Sequence, residues 1–177
     1  MTIREQADRI LHDLGLLAEL EKYGTPHPIG SYRMDMMAWN DLDIDIENSA
    51  MSLDRLYELT GYILKTFRPF WYEAKEEITS EGKTVWFQGF EAMIGGERWN
   101  FDLWFFDRET IGKAEAYCDG IAAKADPEKR RIITALKKEL IARGLYHFER
   151  YRSIDVYRAV LELNVRTIDE LFEKLPR

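Results

Sequence analysis

The chain has 177 residues, 46% hydrophobic and 13% aromatic, which is enough apolar material for one folded domain with its own core. Its formal charge of -7 disfavours broad binding to nucleic acid, because the domain as a whole repels a polyanion. A single cysteine, Cys118, excludes a disulfide framework and a Cys/His zinc site. The first residues are charged and no run of about 18 apolar residues occurs, which predicts a cytoplasmic protein with no membrane span.

The first part of the chain predicts two helices separated by two strands. Apolar residues recur at helical spacing over residues 3–17, after a capping box that begins at Thr2. Residues 27–31 predict a short strand that runs into a glycine turn, and an acidic stretch, residues 41–47, follows about ten residues later. A second apolar stripe then predicts a helix over residues 53–67.

The remainder predicts a group of strands followed by helices. Residues 70–79, 84–94 and 97–106 are rich in aromatic and β-branched residues and are separated by turn signals, which is typical of a three-stranded meander. From Asp107 the pattern becomes helical, with Asp126 as an N-cap before a proline. The element order therefore predicts an α+β fold with a mixed sheet.

The acidic stretch predicts a strand with one charged face. Alternate side chains of a strand share a face, so four carboxylates project together, those of Asp41, Asp43, Asp45 and Glu47. Neighbours on such a face lie about 7 Å apart, and like charges at that distance repel one another unless water or a cation compensates. A solvated acidic face is the simpler reading, but Asp is depleted in strands, and Mg²⁺ takes oxygen ligands from one or two carboxylates together with phosphates. The pattern favours a divalent-cation site.

A single carboxylate, Asp102, interrupts a hydrophobic run over residues 99–106 that otherwise predicts a central strand. A charge at such a position needs a partner. Two alternatives remain open from the sequence. Asp102 either pairs with an arginine such as Arg98, or lies beside the acidic strand and completes a three-carboxylate metal site.

These residues resemble a known pattern. Gly30-Ser31, then eleven residues, then Asp43-Ile44-Asp45-Ile46, and a lone Asp102 on a later strand are similar to the nucleotidyltransferase superfamily, which is related to DNA polymerase beta. The resemblance is to its stand-alone bacterial members. It implies a nucleotidyltransferase-like fold with an N-terminal helix, a mixed five-stranded sheet and C-terminal helices. We therefore expect a single domain, 1–177, made of an α/β core, 1–106, and a helical part, 107–177.

The resemblance also implies a reaction and its residues. Asp43 and Asp45 would each ligate Mg²⁺ (or Mn²⁺), and Asp102 would be the third ligand and the candidate general base. Three nucleotide contacts are implied, namely Gly30, Ser31 and Arg33. The reaction would move an NMP group from an NTP, most readily ATP, to an unidentified hydroxyl acceptor and release pyrophosphate.

Other features of the sequence leave alternatives. Residues 32–39 are bulkier than the small residue and glycine found there in many active members, which favours a catalytically degenerate binding or regulatory protein of antitoxin-like type. A homodimer or a small helical protein partner would suit the three tryptophans Trp71, Trp86 and Trp104 if they were exposed, although burial is the simpler expectation.

Three basic residues on a later helix, Arg130, Lys137 and Lys138, would provide a cationic wall for phosphates or a solvated helix face.

Overall fold

The computed structural model describes residues 1–147 and 149–176. The helices are α1 (Ile3–Asp8), α2 (Leu16–Leu20), α3 (Gly30–Arg33), α4 (Leu53–Thr66), α5 (Arg108–Lys124), α6 (Pro127–Ala142), α7 (Ser153–Leu161) and α8 (Ile168–Lys174), and a π-helical turn, Arg9–Asp13, follows α1. The strands are β1 (Thr25–Pro28), β2 (Asp41–Glu47), β3 (Trp71–Ile78), β4 (Thr84–Ile94) and β5 (Glu97–Phe106).

One mixed five-stranded sheet has the order β1-β2-β5-β4-β3. The pair β2–β5 is parallel, and the other neighbouring pairs are antiparallel. The predicted α+β class and the meander of β3, β4 and β5 are therefore confirmed. Because β5 returns to lie beside β2, the acidic strand and the strand that carries Asp102 are direct neighbours.

The two faces of the sheet differ in chemistry. On one face the apolar residues of β2 and β5 are fully buried, for example Ile44 and Phe101, and they pack in a core with residues of α1, α2 and α4. This burial of alternate residues supplies most of the stabilisation, at about 25 cal/mol for each Å² of apolar surface removed from water. The opposite face carries the carboxylates of the acidic stretch.

A second core is formed by the four helices from α5 through α8 together with the segment between α3 and β2. The bulky residues of that segment are divided between the two cores, since Met34 and Met36 lie in the second and Met37 in the first. Much of the bulk that the sequence places at residues 32–39 is therefore accounted for by core packing.

The N-terminal helix differs from expectation. The predicted single helix over residues 3–17 is broken after the π-helical turn, because Gly15 adopts a left-handed conformation with φ 76° and caps α2. The capping box at Thr2 and the cap of α6 by Asp126 are confirmed. Among the helices of the described residues, none is long and apolar enough to cross a membrane.

Candidate functional site

The register of β2 and β5 brings two of the predicted site residues side by side. Asp43 lies opposite Asp102, and Asp45 lies opposite Trp104, one step further along the same face. Aligned residues of neighbouring strands point to the same side of a sheet, so the three predicted carboxylates face the same way. The sequence left open an ion pair between Asp102 and Arg98. In the structure Arg98 instead forms its ion pair with Glu91.

Burial and mutual repulsion disfavour the charged form of these acids. The pKa of Asp43 is raised by burial and then by the nearby charge of Asp102. Burial also raises the pKa of Asp45 to about 7, with further contributions from Asp43 and Glu115. Both shifts mean that negative charge is costly at this position, and a bound cation would offset that cost.

The donor set suits a hard divalent cation. The three carboxylates offer oxygen atoms alone, and Mg²⁺ and Mn²⁺ prefer such ligands. As the side chains stand in residues 1–147 and 149–176, no three His, Cys, Asp or Glu residues are close enough together to hold a metal ion. The residues therefore fit the cation by chemistry and by the face they share, and a bound ion would require their carboxylates to converge.

Gly30 brings the backbone close to the acidic face. It starts α3 one residue after the end of β1, with φ 59°, and a Cβ atom added to it would lie 3.1 Å from Asp43 Cγ and overlap with Oδ2. A larger residue would therefore displace the carboxylate. The next residue, Ser31, is 7% exposed, and its hydroxyl has no hydrogen-bond partner among the described residues.

A buried lysine lies close enough to these acids for their charges to interact. Lys137 of α6 is 1% exposed, and burial lowers its pKa to about 8, while the charges of Asp41 and Asp43 act in the opposite direction. Of the basic residues considered on this helix, Lys138 is exposed and lies along a different groove. Arg130 donates to the backbone carbonyls of Ala122 and Ala125, each at 2.9 Å. Lys137 is thus the member of that set directed to the site.

Arg33 makes ion pairs in this structure. Its guanidinium donates to both carboxylate oxygens of Asp119, at 2.8 and 3.0 Å, and to Glu115 at 3.1 Å. These pairs hold α3 against α5. A contact between Arg33 and phosphate stays a prediction, and it would require this guanidinium to leave one of its carboxylates.

Two cavities meet at Asp43. The first, of about 390 Å³, is lined by residues that include Gly30, Ser31, Lys137 and Tyr157. The second, of about 780 Å³, is lined by residues that include Asp102, Trp39, Tyr146 and Ile141. Both also contain Asp43, Ser153 and Ile154. Sequence reasoning gave Tyr146 no role and considered Trp39 only as part of the bulky segment 32–39, because single aromatic residues in loops carry no spacing signal.

Solved structures share this architecture. The Cid1 poly(U) polymerase matches 89% of this chain with a TM-score of 0.59 and 14% identity, and the match covers 48% of that protein. The polymerase core of TRAMP, an RNA surveillance complex, matches 96% of the chain with a TM-score of 0.56 and 16% identity, over 53% of its own length. The chain has the nucleotidyltransferase fold.

A third match supports the same fold. The non-canonical poly(A) polymerase complex GLD-2–GLD-3 matches 98% of the chain with a TM-score of 0.54 and 12% identity, over 61% of that protein. The chain therefore spans about half the length of the polymerases that share its nucleotidyltransferase fold. No protein-family model and no curated protein matches the sequence.

Removal of the charge from Asp41 is expected to stabilise the metal-free protein. Burial and then the charge of Asp43 raise the pKa of Asp41 from 3.8 to about 8. The folded state consequently binds more protons than the unfolded state between these values, and the free energy of unfolding falls as pH rises through this window. An Asn at this position keeps an oxygen for the amide of Asn100, which donates to Asp41 at 2.8 Å.

We expect Asp41→Asn to raise the melting temperature at pH 8 in chelator by roughly 3–6 °C, equivalent to about 1–2 kcal/mol, and by less at pH 5. Differential scanning calorimetry at the two pH values measures this. Glu47→Gln, at the end of the same strand face, is the matched control. An equal gain at both pH values would contradict the electrostatic explanation.

Proposed function

We propose that the chain transfers an NMP group from an NTP, most readily ATP, to a hydroxyl acceptor with the help of Mg²⁺ or Mn²⁺. The observation that carries this proposal is the alignment of Asp43 with Asp102 on parallel strands, with the backbone of Gly30 directly against Asp43. A nucleotidyl transfer needs this combination, because phosphates must approach the acids that bind the cation.

The first cavity suits the triphosphate. Gly30 allows phosphate oxygens to come close to the backbone, and the free hydroxyl of Ser31 is available to donate a hydrogen bond. Lys137 supplies a positive charge from a side chain that is almost fully buried, and a charge interaction there is stronger than in bulk solvent. These groups bind and orient the leaving pyrophosphate.

The second cavity suits the nucleoside of the same NTP. It continues from the first at Asp43, Ser153 and Ile154, so a nucleotide with its α-phosphate near Asp43 would extend into it. Trp39 and Tyr146 offer the aromatic surfaces on which a base packs. The cavity walls come from both the sheet side and the helical side of the molecule.

The chemistry assigned to the side chains is proton transfer and charge placement. Asp102 accepts the proton of the attacking hydroxyl, and its carboxylate is, together with those of Asp43 and Asp45, a candidate ligand of the divalent cation. When bound, the cation would neutralise the phosphate charge and polarise the α-phosphoryl group. Burial raises the pKa of Asp102, and a raised pKa makes a carboxylate a stronger proton acceptor.

The test is pyrophosphate release from each of the four NTPs with Mg²⁺ or Mn²⁺ and a panel of hydroxyl acceptors. We expect metal-dependent release by the wild type and none by the Asp43→Asn/Asp45→Asn variant, because that variant loses both proposed ligands on β2. Calorimetric titration with a non-hydrolysable ATP analogue measures nucleotide binding in parallel.

Glu47→Gln serves as the control on the same strand and is expected to behave as the wild type. Nucleotide binding without carboxylate-dependent turnover across the acceptor panel would assign the chain to the alternative, a binding or regulatory role on a degenerate nucleotidyltransferase fold. Absence of nucleotide binding would reject the proposal for both cavities.

A further inference from the structure

The β3 edge of the sheet is open. β3 is the last strand, and within residues 1–147 and 149–176 it pairs with β4 alone. Every second residue of an antiparallel strand turns its N–H and C=O away from its neighbour, so β3 offers a row of backbone donors and acceptors. Every side chain over Trp71–Ile78 is at least partly exposed, and Trp71 is 42% exposed, contrary to the expectation that it lies in the core. Such an edge is a template for a further strand.

Apolar side chains of α4 lie along the same edge. Leu53, Tyr57 and Leu64 are all exposed, Tyr57 by 64%. The hydroxyl groups of Thr60 on α4 and Tyr72 on β3 are hydrogen-bonded at 2.6 Å, so this side of the helix lies beside β3. The three apolar residues are seven, three and four positions from Thr60 and therefore share its side of the helix. We call β3 and these three side chains the edge surface.

The charges of β3 suit antiparallel pairing with a second copy of the chain. With Ala74 opposite Ala74 of that copy, a two-fold axis perpendicular to the sheet places Glu73 of each copy opposite Lys75 of the other. A shift by two residues in one direction would set Glu73 opposite Glu77, and a shift in the other direction would set it opposite itself. Opposite charges directly across two strands contribute to pairing, and like charges oppose it. The strand therefore favours the register with Ala74 on the axis over its neighbours.

The ion pairs of β3 within one chain are compatible with this register. Lys75 contacts Glu73 at 3.2 Å and Glu77 at 2.6 Å, and all three side chains are about 40% exposed. Exposed pairs of this kind contribute little to stability. In the paired register the same ammonium also lies opposite Glu73 of the other copy, and exclusion of water by that copy strengthens the interaction.

The charges of α4 follow the same symmetry. Asp54 and Glu58 lie in its first half, Lys65 lies in its last turn and Arg68 follows its end, and all four are exposed. None of the four forms an ion pair within the part of the chain that the structure describes. Since α4 packs on the sheet, the axis that makes the two β3 strands antiparallel also makes the two α4 helices antiparallel. The acidic half of one helix then meets the basic half of the other, so both layers indicate one axis.

We propose that the edge surface binds a second copy of this chain, through antiparallel pairing of the two β3 strands about Ala74 and packing of Leu53, Tyr57 and Leu64 of both helices. The contact is isologous, and it joins the two five-stranded sheets into one. Neither β3 nor α4 contributes a residue to the two cavities at Asp43, so pairing leaves both cavities open. The inference is therefore independent of the proposed function.

Sedimentation velocity of the full chain over a range of concentrations tests the contact. We expect a dimer for the wild type and self-association weaker by roughly tenfold or more for Tyr57→Glu/Leu64→Glu, because charges then enter the apolar contact. Both side chains are exposed within one chain, so the fold is expected to be retained, which circular dichroism measures. Met93→Glu is the matched control, because Met93 is 57% exposed on β4 and lies outside the edge surface. It should dimerise as the wild type does.

A pair of charge variants tests the register. Glu73→Lys sets like charges opposite each other at both symmetric positions, and Lys75→Glu does the same with the other sign, so each variant alone is expected to be a monomer. An equimolar mixture restores opposite charges at these positions and is expected to form a dimer of the two different chains. Lys138→Glu makes an equal charge change on α6, at an exposed position, and should leave the wild-type dimer unchanged.

Three results would overturn the inference. A wild type that remains monomeric at every concentration would remove the second copy as the occupant, and binding of a synthetic peptide of residues 71–78 by that monomer would assign the edge to an extended strand of another protein. A dimer that persists in Tyr57→Glu/Leu64→Glu would place the contact elsewhere. A mixture of the two charge variants that stays monomeric would contradict pairing about Ala74. Binding of the ATP analogue should be equal in all these variants, so it reports on the proposed function separately.

Discussion

Asp102→Asn is expected to remove turnover while nucleotide binding is retained. Asp102 lies beside Asp43 at the edge of the cavity that we assign to the nucleoside, and it is not among the residues that line the triphosphate cavity with Gly30, Ser31 and Lys137. Its proposed work is to accept the proton of the attacking hydroxyl, and an amide cannot do this. General-base catalysis contributes about 100- to 10,000-fold to a rate, so a loss of that size is expected in kcat.

The measurement separates two steps that a single activity value combines. Pyrophosphate release at saturating NTP reports turnover, and calorimetric titration with a non-hydrolysable ATP analogue reports binding. We expect turnover to fall by at least 100-fold and the dissociation constant to change by less than threefold.

Glu97→Gln is the control on the same strand, since Glu97 begins β5 and is exposed. A large loss of nucleotide binding in Asp102→Asn would show that this carboxylate contributes to nucleotide affinity and contradict the separation of roles. Normal turnover would remove Asp102 from the reaction altogether.

The residues alone were sufficient to place the acidic strand, the three later strands and the face on which the acidic side chains lie. Alternation of Asp and aliphatic residues over Asp41–Glu47 sets both the strand and its polar side, because a strand has a period of two. The three later strands were also found, since their aromatic and β-branched runs are separated by clear turns. Local patterns of this kind depend on neighbouring residues alone.

The pairing of β2 with β5 depended on the resemblance more than on the residues. No local signal joins residue 43 to residue 102 across nearly sixty intervening positions. The residues alone left Asp102 with two partners, and the structure decides between them through the parallel register. The sequence also did not predict which basic residue of α6 is buried, because these residues are chemically similar. In the structure Lys137 is buried and its neighbour Lys138 is exposed.

Lys137→Met is expected to weaken NTP binding without unfolding the protein. The ammonium of Lys137 lies in the cavity that we assign to the triphosphate, and it is held there at a desolvation cost that lowers its pKa. A charged hydrogen bond in such a place is worth about 1.5–3 kcal/mol, which corresponds to roughly a 10- to 100-fold change in affinity. Methionine has a similar length and fills the same space, so the surrounding core is expected to be retained.

A comparison of the ATP and AMP affinities is more informative than the loss of NTP affinity alone. An ammonium directed to the β- and γ-phosphates contributes to the binding of ATP but not to that of AMP, so we expect the ratio of their affinities to fall in Lys137→Met. Lys138→Met removes the same charge from the adjacent, exposed position and is expected to leave both affinities unchanged. Calorimetric titration of ATP-analogue and AMP into the two variants measures these changes.

An equal loss for ATP and AMP would indicate that Lys137 supports the site through packing rather than through phosphate charge. A loss that is matched by Lys138→Met would indicate a general effect of net charge on the approach of anions, which added salt would abolish. Selective loss of ATP binding in Lys137→Met alone would therefore indicate a buried phosphate contact rather than a packing effect or a net-charge effect. It would also show that the phosphate end of the nucleotide lies beside Gly30.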